Sequence, residues 1–508
     1  MKAKPIMLQG TGSDVGKSVL TTAFCRIFAE DGYRVAPFKS QNMALNSYVT
    51  KTGGEIGRAT AMQAEAAGVT PTVNMNPVLL KPNADNNSQV IFQGKPYQNM
   101  TAKQYFSHKN KAFNIIKESY NKLQNKNEII VLEGGGSPAE INLKDKDLVN
   151  MTMAEMAEVP VILIASIEKG GVFASIVGTF DLLTAEEVER IKGIIINKFH
   201  GDFQRFASGV EFIENHTDKP VLGIIPYFKH LNLPEEDSLG KKEKNPPKPK
   251  NEPQIDIVII DLPHISNFTD FDFLNEEPET KVRYVKKPKN LKNPDLIIIP
   301  GSKNTIADLK ILYQQEMVAE IKKLHNKGVM IAGICGGYQM LGQIIRDPCG
   351  IESGPQEIAG IGLLDVKTEL YTSKKTYQVQ ADVLADTCFF SSLDTEKIEA
   401  YEIHQGKTKR VQKVKPLFMV YRRNLKKQFK EGAISEDGKV WGTYLHGLFD
   451  NDNLRRSLVN YLREKKGLSL LMDDQISSVQ KRKQAYQKFA DHVRENLEIK
   501  QIYEIIFD

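Results

Sequence analysis

No apolar run in this chain approaches the length that spans a bilayer, so the sequence offers no transmembrane helix. No apolar h-region follows the opening Met1-Lys-Ala-Lys-Pro5, and no secretory leader is expected. Cysteine is scarce: Cys25, Cys335, Cys349 and Cys388 stand far apart, with no C-x-x-C pair. That argues against a disulfide scaffold and a zinc ribbon, and it suits a reducing compartment in which one thiol is free for chemistry. Charge of one sign is lacking as well. The formal net charge is +5 over 508 residues with no dense basic stripe, so nucleic acid is not an expected partner. No internal repeat of fixed period is present. The expectation is a cytoplasmic protein with neither membrane nor nucleic-acid partners; the oligomeric state is left open.

What the chain does have is a repeated alternation of short apolar runs and amphipathic stretches. Its length is too great for one ordinary core and points to roughly two to four domains. Ile6 to Gln9, Arg34 to Phe38, Ile129 to Leu132, Val161 to Ile164, Gly193 to Ile196 and Val221 to Ile225 are runs rich in Ile and Val. Such runs predict strands of a parallel sheet covered on both faces, and the intervening helices make an α/β, doubly wound domain. A Lys- and Pro-rich stretch, Gly240 to Pro253, is almost free of apolar residues and reads as an exposed linker. The α/β pattern then restarts with Ile255 to Ile260, Leu296 to Ile299 and Val329 to Ala332, and it turns more antiparallel between Ile361 and Tyr421. The expected division is 1–239, linker 240–254, 255–455 and a charged helical segment 456–508.

The first site candidate is Gly10-Thr-Gly-Ser-Asp-Val-Gly-Lys-Ser18, between a strand and a helix that Asp31-Gly32 ends. Glycines let backbone N–H groups curl around phosphate oxygens, and the new helix points its positive end at them. Gly12, Ser13, Asp14, Val15, Gly16, Lys17 and Ser18 are therefore the expected ATP-binding residues. Lys17 would reach the terminal phosphates, and the Ser18 hydroxyl would hold Mg²⁺. The spacing departs from G-x-x-x-x-G-K-[ST] and matches the G-T-x-x-x-x-G-K-[ST] variant. A metal also needs an acid. Glu133, at the carboxyl end of a predicted strand and before Gly134-Gly-Gly136, is the expected Mg²⁺ ligand; Asp14 is a second candidate.

The second candidate is Gly333-Ile-Cys-Gly-Gly337, after a predicted buried strand and before a helical run, Tyr338 to Leu341. It is the cysteine analogue of the G-x-S-x-G elbow, in which a sharp turn presents the nucleophile at a helix N-terminus and favours the thiolate. Cys335 is the expected nucleophile. Gly336, together with Gly301 of the Pro300-Gly-Ser302 loop, is the expected oxyanion hole. A thiol nucleophile needs a base. His446, in Trp441-Gly-Thr-Tyr-Leu-His-Gly447, is preferred, and His404, in Tyr401-Glu-Ile-His-Gln-Gly406, is its rival.

These segments resemble known families. The phosphate loop resembles that of dethiobiotin synthetase and its relatives, which move phosphate to a carboxylate. Gly333 to Leu341 and Tyr444-Leu-His-Gly447 resemble the class I glutamine amidotransferases. In most of that class a glutamate follows the histidine by two residues; here Leu448 stands there, as in the cobyric acid branch, and no third member is assigned. Pro37 to Ser47, Glu133 to Asn142, Asp147 to Met151, Gly170 to Ser175, Pro300 to Thr305 and Tyr401 to His404 extend the likeness to the cobyric acid synthase family over nearly the whole chain. The resemblance implies glutamine and a corrinoid as substrates, and ATP with Mg²⁺ as cofactors. It implies a catalytic role for Asp147 in the synthetase site, Lys39, Gln41 and Asn42 lining that site, and Asn197 near the adenine. Lys169 and His200 stand where arginines are usual. Two rival readings come with it: a sister activity on another polycarboxylate, such as cobyrinic acid a,c-diamide synthesis, and a non-enzymatic ATPase switch of the partitioning type.

Overall fold

The computed structural model describes residues 2–82, 87–228, 254–352, 354–393, 397–422, 425, 427–472 and 476–508. The expected linker 240–254 lies, apart from Gln254, outside the described residues.

The N-terminal part is built on a six-stranded sheet. Its order is Val221–Pro226, Ile191–Phe199, Val161–Ser166, Lys4–Gly10, Ile129–Glu133 and Val35–Phe38, and all neighbouring pairs are parallel. The strands are apolar on both faces because both faces are covered. One face packs on the helix Lys109–Gln124, where Ile116, Tyr120 and Leu123 are buried together with Phe38 and Leu132. The other packs on the helix Lys17–Glu30, through Phe24 and Phe28. The strand order places Lys4–Gly10 and Ile129–Glu133 side by side, so the phosphate loop and Glu133 emerge at the same carboxyl edge.

Between Val35–Phe38 and Ile129–Glu133 the chain makes an excursion that the sequence reading did not anticipate. It is a small sheet of Gln41–Met43, Val78–Pro82, Asn87–Phe92 and Lys95–Thr101, followed by the helix Lys109–Gln124. These strands are short, and the two outer ones, Gln41–Met43 and Lys95–Thr101, are largely polar, so the pattern is weak.

The C-terminal part is α/β too. Thr280–Val285, Ile255–Ile260, Leu296–Ile299, Met330–Ile334 and Val440–Thr443 form a parallel run, extended by the antiparallel strands Ala433–Ser435 and Val414–Lys415. Beside it, Val366–Val383 and Ile398–Arg410 pair antiparallel in a second sheet that ends on Leu445–His446. The final segment does not stay with this part. Tyr486, Phe489 and Val493 of the helix Ser478–Glu495 and Ile502 and Ile506 of Ile499–Phe507 are buried against Ile6, Leu8, Phe24 and Phe28 of the N-terminal core.

Candidate active sites

The strand Lys4–Gly10 feeds the phosphate loop, and the helix Lys17–Glu30 begins at its end. Gly16 has φ 102°, and a Cβ there would sit 2.2 Å from Nδ2 of Asn197, so only glycine fits. Asn197 donates from that amide to the Val15 carbonyl at 2.8 Å and thereby braces the loop. Ser13 and Asp14 form the exposed tip, whereas Val15 is buried. The buried Lys17 ammonium donates to the carbonyls of Gly12 (2.7 Å) and Gly136 (2.9 Å), which hold it across the loop.

Glu133 is fully buried at the end of its strand. One oxygen accepts from Ser18 Oγ at 2.7 Å and from Lys39 Nζ at 2.8 Å, and the other accepts from Gln63. Burial alone would raise its pKa, but the Lys39 ammonium and the hydrogen bonds outweigh burial and hold it below the ordinary carboxylate value. Among the described residues no cluster of three His, Cys, Asp or Glu could hold a metal. The adjacent Ser18 hydroxyl and Glu133 carboxylate nevertheless fit Mg²⁺, which takes one or two protein ligands and completes its shell with phosphate and water. Among the described residues the buried Oε1 atoms of Gln9 and Gln63 have no hydrogen-bond partner, and they offer further oxygens nearby.

Asp147 accepts backbone N–H groups from Val149 (2.8 Å), Asn150 (2.9 Å) and Thr152 (2.9 Å). Asn150 in turn pairs with Gly135 through both its amide atoms. Asp147 thus anchors the turn that supports the Gly134–Gly136 wall opposite the phosphate loop. Gln41 and Asn42 follow Lys39 on a short strand; Gln41 accepts from the Tyr105 hydroxyl, and Asn42 is buried against Gly57.

In the second site, Cys335 joins the strand Met330–Ile334 to the helix Gly336–Leu341 with φ 51° and ψ −105°, a strained backbone for a residue with a side chain. The elbow is held because the helix start packs on the neighbouring strand end. A Cβ at Gly337 would lie 1.8 Å from the Ile299 carbonyl oxygen. The Cys335 thiol is buried, 3.6 Å from the Ile403 carbonyl. The backbone nitrogen brought against Gly336 is that of Ser302, 2.8 Å from the position of a Gly336 Cβ. Gly301, one residue earlier, packs on the His446 ring and accepts from the Ser266 N–H.

His446 is buried, and its Nδ1 lies 2.6 Å from a carboxylate oxygen of Asp270. The other Asp270 oxygen accepts from the Gly447 N–H at 3.2 Å. Among the described residues Nε2 has no hydrogen bond of ordinary geometry, yet the ring interacts with the Cys335 thiol. Burial pushes the imidazole pKa down, but Asp270 and then Cys335 oppose it, and the net result is about 10. Asp270 thus favours the protonated ring, which can serve as a proton donor beside the thiol. His404 is engaged elsewhere: Nδ1 meets the Gly406 carbonyl at 2.8 Å, Nε2 lies 3.5 Å from Glu402, and the ring stacks on Tyr444.

Asp270 carries no motif signal; it lies in a loop of 3-10 turns, Phe268–Glu276, 176 residues before His446. The same loop docks on the N-terminal part. Asn267 Oδ1 accepts from the Ser47 N–H and Asn46 Oδ1 from the Phe268 N–H, each at 3.1 Å. The segment that carries Lys39, Gln41 and Asn42 therefore ends against the residues that hold His446.

The CobQ/CobB/MinD/ParA nucleotide binding domain matches residues 6–239, and the CobB/CobQ-like glutamine amidotransferase domain matches residues 256–454. The cobyric acid synthase of Thermoanaerobacter sp. (strain X514) is 49% identical over 99% of this chain and 99% of its own length. That of Alkaliphilus metalliredigens (strain QYMF) is 49% identical over 98% and 99%, and that of Streptococcus sanguinis (strain SK36) is 46% identical over 99% and 99%. The chain belongs to the cobyric acid synthase family. Members of this family are ligases with a glutamine amidotransferase part and a nucleotide-binding part, so the chain is a glutamine-hydrolysing amidoligase and the switch reading falls. No helix among the described residues is long and apolar enough to cross a membrane.

Proposed function

We propose that the enzyme amidates the b, d, e and g carboxylates of adenosylcobyrinic acid a,c-diamide, using ATP and glutamine, to give adenosylcobyric acid. The observation that supports this is one chain bringing together Ser18 with Glu133 and His446 with Asp270, in a family named cobyric acid synthase. We assign the synthetase site to residues 1–239 and the glutaminase site to 255–455; within 456–508, Leu458 and Leu462 pack on the second core and the helices from Ser478 onward strap the first.

At the glutaminase site the Cys335 sulfur attacks the side-chain amide carbon of glutamine, and the N–H groups of Gly336 and the Gly301–Ser302 loop stabilise the oxyanion. His446 gives its proton to the departing nitrogen, which leaves as ammonia. Water then hydrolyses the thioester to glutamate, returning a proton to His446 and regenerating the Cys335 thiolate that begins the cycle. Asp270 keeps the ring oriented and charged.

At the synthetase site the γ-phosphoryl of ATP passes to a carboxylate oxygen of the corrinoid, leaving ADP. Ammonia displaces phosphate from the acyl phosphate to form the amide. Gly12 to Ser18 cradle the phosphates, and Lys17 neutralises charge that spreads over the transferred group. Ser18 and Glu133 would hold Mg²⁺, which supplies further neutralisation of phosphate charge when bound. Lys39 keeps Glu133 ionised, Asn197 braces the loop, and Asp147 fixes the opposite wall. Gln41 and Asn42 shape the corrinoid side.

The test is mass spectrometry of the corrinoid with MgATP and either glutamine or ammonia. Stepwise gain of up to four amides is expected. ATP and glutamine hydrolysis without any corrinoid product would move the substrate assignment to another polycarboxylate.

A further inference from the structure

Asn267 opens the loop Phe268–Glu276 that carries Asp270, and it is fully buried at the seam between the two parts. Its backbone is left-handed, with φ 52° and ψ 40°, a region that asparagine and glycine enter most readily. Its carbonyl accepts the Asp270 N–H at 3.0 Å. Its side chain lies between the synthetase part and the histidine: Oδ1 accepts from the Ser47 N–H at 3.1 Å, and Nδ2 stands 3.5 Å from His446 Nδ1. The next residue is held from the same side, because the Phe268 N–H donates to Asn46 Oδ1 at 3.1 Å.

The direction of these bonds is fixed by chemistry. A backbone N–H can only donate, so Ser47 selects Oδ1 and turns the NH₂ group of Asn267 toward the ring. An ionised carboxylate can only accept, so His446 Nδ1 carries the proton and donates it to Asp270. Two donors then face each other across 3.5 Å, and the amide does not compete for the Nδ1 proton. Turned over, the amide would present its oxygen to that proton and draw the ring away from Asp270. The choice between the two arrangements is made by Ser47, a residue of the other part.

We propose that Asn267 is a positioning residue through which the docked synthetase part sets the His446–Asp270 pair: Asn46 and Ser47 hold the loop and its amide so that the ring bonds to Asp270 and not to Asn267. The proposal rests on the glutaminase reading of Cys335 and His446. Asp270, Cys335 and the stacked Tyr401 ring face the imidazole, and Arg58 and Asp450 face Tyr401 in turn. A change at Asn267 leaves all of these in the chain. It also leaves the parts joined, because Thr376 Oγ1 donates to the Gly53 carbonyl at 2.6 Å and Gln378 Nε2 to the Val49 carbonyl at 2.8 Å.

The experiment uses the full chain and follows glutamate release against pH. Asn267→Gly keeps the left-handed backbone and removes the amide. Its kcat for glutamine should fall about tenfold, the scale of one neutral hydrogen bond, with KM within about threefold. The alkaline limb of kcat/KM should move toward neutrality as Asp270 loses its hold on the ring. Asn46→Ala, made in the other part, should move the limb the same way. The double variant should lose less than the product of the two single losses, because both act through one loop. Ammonia-driven amidation by Asn267→Gly should stay within about twofold, which reports a folded chain. An unmoved limb with kcat within about twofold in Asn267→Gly, fully multiplicative losses in the double variant, or an equal loss of the ammonia-driven reaction would each overturn the proposal, while Cys335-dependent hydrolysis left the glutaminase reading standing. Absence of glutamine hydrolysis in the unaltered enzyme would overturn both.

Discussion

Replacing Asp270 by asparagine removes one charge from a buried pair and leaves the volume unchanged. The carboxylate is 2.6 Å from His446 Nδ1, and both side chains are at most 6% exposed. His446 is held at about 10 instead of 6.5 against a burial effect of opposite sign, with Asp270 the first of the groups that oppose it. Removing one partner of a buried pair costs about 3–5 kcal/mol. That figure is a cost in stability; for turnover, Asp→Asn behind the histidine of a Ser-His-Asp triad costs about 10⁴ in kcat, and a loss of at least about a hundredfold in glutamine turnover is expected here. The direction of the pH effect also follows. Without Asp270 burial prevails, the imidazolium loses its proton at lower pH, and the alkaline limb of kcat/KM moves down from near pH 10 toward neutrality. The stability effect has the matching sign. A histidine raised on folding stabilises fully below about pH 6.5 and loses that contribution as pH climbs through about 10, a loss that Asp270→Asn should abolish. Glutamate release from pH 6 to 10.5 and thermal melts over the same range measure both. Ammonia-driven amidation serves as the control. A turnover within threefold of the unaltered enzyme, with an unmoved alkaline limb, would refute the role of Asp270.

Cys335→Ala should abolish the glutamine-driven reaction and keep the ammonia-driven one, read as amide product with each nitrogen source. Glu133→Gln removes the charge that faces the buried Lys39 ammonium and the carboxylate beside Ser18. It should lose amidation with both nitrogen sources and lower stability by about 3–5 kcal/mol in urea unfolding. Gly337→Ala puts a methyl 1.8 Å from the Ile299 carbonyl and should cost glutaminase activity through a displaced elbow, seen as loss of thiol labelling at Cys335 by a glutamine-like electrophile. Phe489→Ala empties a buried position between the last helices and the N-terminal core. It should destabilise by about 3–5 kcal/mol and impair the synthetase more than the glutaminase.

The two chemistries were legible because each is written locally. A strand, a glycine-rich turn and a helix in succession position Lys17 and Ser18 through backbone geometry alone, and the same is true of Cys335. The β-rich runs likewise declared the two α/β parts. Asp270 was not legible. Its only qualification is to lie beside His446, and nothing in a linear spacing of 176 residues marks that. The small sheet between Gln41 and Thr101 was missed because its outer strands are polar and its inner ones carry apolar runs of only three residues, too short to show a period. The last stretch reads as a charged helical segment with no stated partner, and its apolar faces close the core of the first part. The meeting of Asn46 and Ser47 with Asn267 and Phe268, and of Lys81 with Lys374 around Glu55, belongs to the tertiary structure for the same reason. Turn geometry depends on neighbours in the chain and is encoded there, whereas charge pairing and burial between distant segments exist only once the chain has folded and brought them within a few ångströms.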